Sequence, residues 1–158
     1  MSKYEIKLDH ICDVVAFVSA PAPIGSSSWG TRLLFPVIGE DGYVDGPKLQ
    51  AKIRPLGEDA ALIRFDNCFE LNVRLVLETN DNALIYVTYR GVIDMSEDEA
   101  NKFLAGELPP NLNLFTTPRF ETAHEKYQWL TRIQAVGRGS VEPEGDRFRV
   151  SYSWYALS

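Results

Sequence analysis

The chain has 158 residues, of which 45% are hydrophobic, 24% charged and 11% aromatic, with a formal net charge of −6. That length and balance describe one packed domain over residues 1–158 and exclude a disordered chain. Lysine and arginine are scattered singly, which argues against nucleic acid or an anionic membrane surface as partner, and no apolar run approaches the roughly 20 residues of a spanning helix.

The opening "MSKYEIKLDH" alternates charge with bulk and lacks the pattern of a secretory signal, so a soluble cytoplasmic protein is expected. Strands are expected at about 4–10 and 12–18. Cys12 and Cys68 sit among strand-like residues, outside any CxxC spacing, and read as buried free thiols. With only two histidines in the chain, no metal is expected. "SAPAPIGSSSWG" is the one soft segment and reads as a mobile loop over a pocket mouth, with Trp29 available as an apolar wall. Strands follow at about 31–37, 48–54 and 60–65, with "EDG", "GP" and "GED" as the turns between them.

"CFELNVRLVLETN" carries the clearest period of two, with Leu71, Val73, Leu75 and Leu77 on one face and Glu70, Asn72, Arg74 and Glu78 on the other. Two readings stand open. The polar face is a solvated exterior, or Asn72 and Arg74 point into a cavity, where an amide and a guanidinium orient a carbonyl or carry developing negative charge. "TNDNA" supplies a hairpin turn into a strand at about 83–92. There Tyr89 offers a phenol, and Arg90 either reaches water or is re-aimed into a pocket by a bulge at Gly91. Without a bulge, only one of the two neighbours faces a cavity.

Ser96 followed by Glu99 forms a capping box, and Gly106 with Pro109 and Pro110 ends the helix that it starts. After a strand at about 113–120, "TPRFETAHEKYQWL" gathers Arg119, Glu121, His124, Tyr127 and Trp129 around a short helix. The segment reads either as a salt-bridged turn with core aromatics or as a pocket rim, in which case His124 is the acid or base near neutral pH. Strands at about 133–141 and over "RFRVSYSWYAL" close the chain. The latter places Phe148, Val150, Tyr152 and Trp154 on one side.

Eight to ten short strands and two brief helices make an all-β domain, expected as a closed antiparallel β-barrel of lipocalin-like size, with a two-sheet sandwich as the alternative. Walker A, GxGxxG, GxSxG and HExxH motifs are all absent, so no nucleotide or other cofactor is expected.

Three stretches, "GYVDGPKLQAKIRPLGED", "ELNVRLVLETNDNALIYVTYRG" and "TPRFETAHEKYQWLTRIQAVGRG", resemble the bacterial and fungal family known as domain of unknown function 3237. The resemblance spans most of residues 42–139 and implies a compact β-barrel, but no reaction. It matches at Arg90, Gly91, Phe120, Glu121, Thr122, Trp129 and Leu130. It departs at Asn72, where similar sequences usually carry an aspartate, and at Ala60 or Ala61, where they usually carry a tryptophan. Residues 94–111 are less typical of the family and read as a lid.

The preferred expectation is a cofactor-independent enzyme that binds a reactive small molecule and promotes cyclisation, isomerisation or pericyclic addition. Arg90, Tyr89, Asn72 and His124 are the candidate catalytic groups, and Trp29, Arg74, Arg119, Glu121 and Trp129 the candidate binding groups. A barrel that carries or senses an apolar ligand is the second expectation, and a structural or assembly protein with a filled barrel the third. Self-association through exposed strand edges is the default partner expectation beside the small molecule.

Overall fold

A computed structural model describes residues 2–158 and is mostly strand. The strands are β1 (Leu8–Ser19), β2 (Ala22–Ser27), β3 (Gly30–Asp45), β4 (Ala51–Ile63), β5 (Phe69–Thr79) and β6 (Leu84–Ile93), then β7 (Leu114–Thr116), β8 (Arg119–Glu121), β9 (Ala135–Glu144) and β10 (Arg147–Leu157). Helix α1 (Glu97–Leu104) and a 3-10 helix (Glu125–Arg132) interrupt them. The antiparallel path β1-β10-β9-β7-β6-β5-β4-β3 returns to β1, so the sheet is a closed eight-stranded barrel with β2 and β8 as additional strands. Closure pairs each of the eight staves on both sides over at least part of its length.

Several boundaries differ from the sequence expectations, for one physical reason. Barrel strands must coil, and they do so through irregularities that read locally as turns. The two N-terminal strands are a single β1 with a register shift between His10 and Cys12. "EDG" lies within β3, whose pairing with β4 shifts register between Pro36 and Tyr43, and Asp41 adopts a positive φ of 62° there. "GED" lies within β4, beyond a second shift between Ile53 and Gly57. Gly57 has φ 114°, and a side chain there would collide with the Arg74 carbonyl. The soft segment before Trp29 is no loop, since Ala22–Ser27 pairs with β3 as a hairpin.

Other local signals map directly. Asn82 takes φ 60° in the turn between β5 and β6, where Thr79 and Ala83 are hydrogen-bonded. The Ser96 and Glu99 side chains each accept the other's backbone N–H at the start of α1. Cys12 and Cys68 are free thiols, the first buried and the second half-buried. Burial raises the Cys12 thiol to about 12, with the Asp13 charge adding to it, so it is a core group and not a nucleophile. Among the described residues, no helix is long and apolar enough to cross a membrane.

Alternation sorts the staves cleanly. Leu71, Val73, Leu75 and Leu77 of β5 and Ile85, Val87, Tyr89 and Ile93 of β6 are buried inside. The lower barrel is filled by Trp154, Ile11, Leu77, Ile85 and Leu130, each less than 2% exposed. The upper barrel holds a void.

Candidate functional site

A cavity of about 60 Å³ lies within the barrel, with an almost wholly apolar wall that includes Ala16, Val37, Leu71, Val73 and Val150. That volume is room for about four waters, so a ring-sized guest enters only if the wall or roof gives. Phe103, from the last turn of α1, and Leu108 close its upper end, so the 94–111 segment does cover the mouth. Phe103 packs edge-on against Phe69 at 5.1 Å between ring centroids and lies tilted to Phe35 at 6.5 Å. The floor is aromatic: Tyr89 meets Tyr152 at 5.4 Å and Trp154 at 5.9 Å, both edge to face.

One ionisable carboxyl lines this cavity, that of Asp59 on β4, and it is only 9% exposed. Its Oδ1 accepts the backbone N–H of Asn72 at 2.9 Å, replacing a ladder bond between β4 and β5. Burial in apolar surroundings is the largest influence and lifts its pKa from 3.8 to about 7. The Asn72 N–H and the Arg32 guanidinium oppose the shift, while the Glu58 charge adds to it. The Tyr89 and Tyr152 hydroxyls are held neutral, chiefly by burial. The facing phenols act on each other in opposite directions, strengthening the proton's hold on Tyr89 and easing it on Tyr152, and the nearby Asp59 charge raises both. The cavity therefore presents a carboxyl balanced between its two states at neutral pH beside two phenol donors.

Of the residues singled out from sequence, only Tyr89 lines this cavity. The cavity expectation for Asn72 and Arg74 is corrected: the apolar Leu71, Val73 and Leu75 are buried on the inner face of β5, and the unbroken register with β6 leaves Asn72 and Arg74 on the outer one. Arg74 is exposed and lies 3.8 Å from Glu58. The bulge expected at Gly91 is absent, since β5 and β6 stay in register from Phe69↔Ile93 to Glu78↔Leu84. Arg90 consequently faces outward. Gly91 is needed for a different reason: a side chain there would strike the Phe115 carbonyl of β7.

The 119–130 segment packs as structure at the barrel wall. Arg119 and Glu121 are exposed on β8, and Trp129 is a half-buried residue packed on the core. His124 is exposed, its backbone N–H held by Thr122 Oγ1 at 3.2 Å and its ring tilted over Tyr127. The Tyr127 hydroxyl donates to Asp81 at 2.9 Å. Trp29 is 72% exposed on the β2–β3 turn, in a shallow surface dip with Leu62 and Phe65.

Asn72 and Arg90 do come together, as direct cross-strand partners on the outside of the barrel. They line an outer groove of about 560 Å³ with Arg32, Val92, Phe115 and Val136. Sequence reasoning missed Asp59, hidden in "GED". Stepping the period of two back from Ile63 and Ala61 puts Asp59 on their face, and that was the available signal. Among the described residues, no three of His, Cys, Asp and Glu are gathered so as to hold a metal ion.

The family model described as "Protein of unknown function (DUF3237)" matches residues 6–157. A UPF0311 protein of Rhodopseudomonas palustris is 32% identical over 144 residues, covering 90% of this chain and 92% of its own. Among solved structures, a protein of unknown function from Clostridium acetobutylicum superposes with a TM-score of 0.87 at 28% identity, covering 99% of this chain and 100% of its own. An enzyme from Penicillium herquei shares the fold with a TM-score of 0.69 at 16% identity, covering 100% of this chain and 98% of its own.

Proposed function

We propose that this chain, which belongs to the DUF3237 family, is a cofactor-independent enzyme that moves protons on a small carbonyl compound held inside its barrel. The observation that carries this reading is Asp59, a carboxyl raised to about 7 in an apolar cavity that also holds Tyr89 and Tyr152. A barrel of this shape serves an enzyme in Penicillium herquei, so the fold is compatible with catalysis.

In the proposed step the Asp59 carboxylate takes a proton from the carbon next to a carbonyl. The C–H electron pair moves into the carbonyl, and the oxygen that gains charge accepts a hydrogen bond from the phenol pair. Asp59, now protonated, returns the proton to a different carbon, so the substrate is isomerised with no net gain or loss of atoms. A carboxylate base opposite a phenol donor is a known solution for this chemistry, and an acid whose pKa lies near the working pH serves both directions. If the substrate carries a second reactive group, the same enolate closes a ring. Of the reaction types left open by sequence, isomerisation and proton-driven cyclisation are therefore favoured over a pericyclic addition, which needs no acid or base.

The test uses 3-cyclohexenone, whose conversion to the conjugated enone is followed by ultraviolet absorbance. The expected rate rises as pH passes through about 7, falls about 100-fold or more in Asp59→Asn, and falls less in Tyr89→Phe. A wild-type rate in Asp59→Asn would overturn the assignment. Binding of the enone without conversion would favour the carrier reading.

A further inference from the structure

We propose that the outer groove is a second, separate binding site that takes a small carboxylate with an apolar body. It lies across β3 to β7 and β9, on the opposite side of the barrel wall from Asp59, and its argument does not depend on the interior chemistry.

Charge is the first observation. Arg32 and Arg90 both line the groove, and neither forms an ion pair among the described residues. Arg32 Nη1 donates to the Ala60 carbonyl at 2.9 Å, which steadies the guanidinium and leaves its other donors free. The one carboxylate in the groove, Glu70, is engaged by Arg64 at 3.1 Å. A protein of net charge −6 thus keeps two guanidiniums without a surface ion pair in one depression, against the repulsion its overall field exerts on anions. Planar guanidinium forks suit a carboxylate, and the Asn72 amide beside Arg90 adds a neutral donor.

The second observation is the groove's wall. Val92, Phe115 and Val136 supply the apolar wall, which is why the ligand is an organic acid rather than a bare inorganic anion.

The test is titration of isotopically labelled protein with benzoate, using benzyl alcohol and inorganic phosphate as controls and amide NMR shifts as the readout. Saturable shifts centred on Gly91, Val92, Thr117 and Val136 are expected. Affinity should weaken about tenfold in Arg90→Gln, as loss of one charge-assisted pair implies. Arg90 is exposed and its side chain makes no hydrogen bond among the described residues, and a well-dispersed spectrum of Arg90→Gln checks its folding. Asp59→Asn should bind benzoate no more weakly than the wild type, which separates this site from the interior one. Equal affinity for the alcohol or for phosphate, unchanged affinity in both Arg90→Gln and Arg32→Gln, or shifts centred on Ala16, Val73 and Phe103 would each overturn the proposal.

Discussion

Replacing Asp59 by Asn gives the sharpest test of the interior site, because it makes stability depend on pH in a sign opposite to that of most carboxylates. In the unfolded chain an aspartate ionises near 3.8, while in the fold Asp59 ionises near 7. Between those values the unfolded state has lost the proton and the folded state still binds it, so each pH unit lowers the unfolding free energy by about 1.4 kcal/mol. Over a window of about three units the loss reaches about 4 kcal/mol, a large share of a domain's usual 5–15 kcal/mol. The favourable contribution is complete below pH 3.8 and gone above about 7. In Asp59→Asn the side-chain carbonyl still accepts the Asn72 N–H, while the new amide group costs a constant amount at every pH. The assay is urea unfolding of both proteins at four pH values from 4 to 8.5. The difference between the two free energies should move in favour of the variant by about 4 kcal/mol across that range. Parallel pH profiles would refute the reasoning, since they would mean that Asp59 ionises like an exposed aspartate.

Two further outcomes follow from the same geometry. Arg32→Gln removes a charge that favours the Asp59 carboxylate, so the Asp59 titration, followed by carbon NMR of its carboxyl, should move above its wild-type midpoint; an unchanged or lower midpoint contradicts the coupling. Phe103→Ala strips the roof from Phe35 and Phe69, and should cost about 1–3 kcal/mol in thermal or urea unfolding while increasing fluorescence of an apolar dye; neither change would mean that Phe103 does not close the cavity.

The barrel was legible in the sequence because closure rests on period-two alternation, and β5 and β10 display it without interruption. The capped helix and the "TNDNA" hairpin were legible for the same kind of reason, being signals confined to a few neighbouring residues. The candidate site was much less so. Which face of β5 turns inward is decided by strands far away in the chain, and polar residues at 72 and 74 drew the wrong inference. Arg90 and Asn72, each a candidate pocket group by sequence, sit side by side in register on the outside of the wall. Asp59 was taken for turn chemistry because glycine and acidic residues look alike in a turn and in a coiled strand. At Gly57 the glycine serves a close approach to β5, so the strand continues past it and carries Asp59 inward.

The wall between β6 and β9 is unlike the rest of the barrel. β7 bonds to Gly91 and Val92 on one side and to Gly137, Arg138 and Gly139 on the other, while β8 bonds to β6 at Tyr86, Val87 and Thr88 and has no pairing with β9. Each other junction of the barrel pairs at least five residues, whereas here the cylinder is joined by a three-residue tack, and below it the 3-10 helix lies beside β8. Thermal breathing of such an object is concentrated along its shortest stitched line. That line passes between the outer groove, which Gly91, Thr116 and Gly137 help to form, and the interior, which Leu114 and Tyr89 line. The two compartments share that shortest seam, so an opening of β7 would bare both faces of the wall at once.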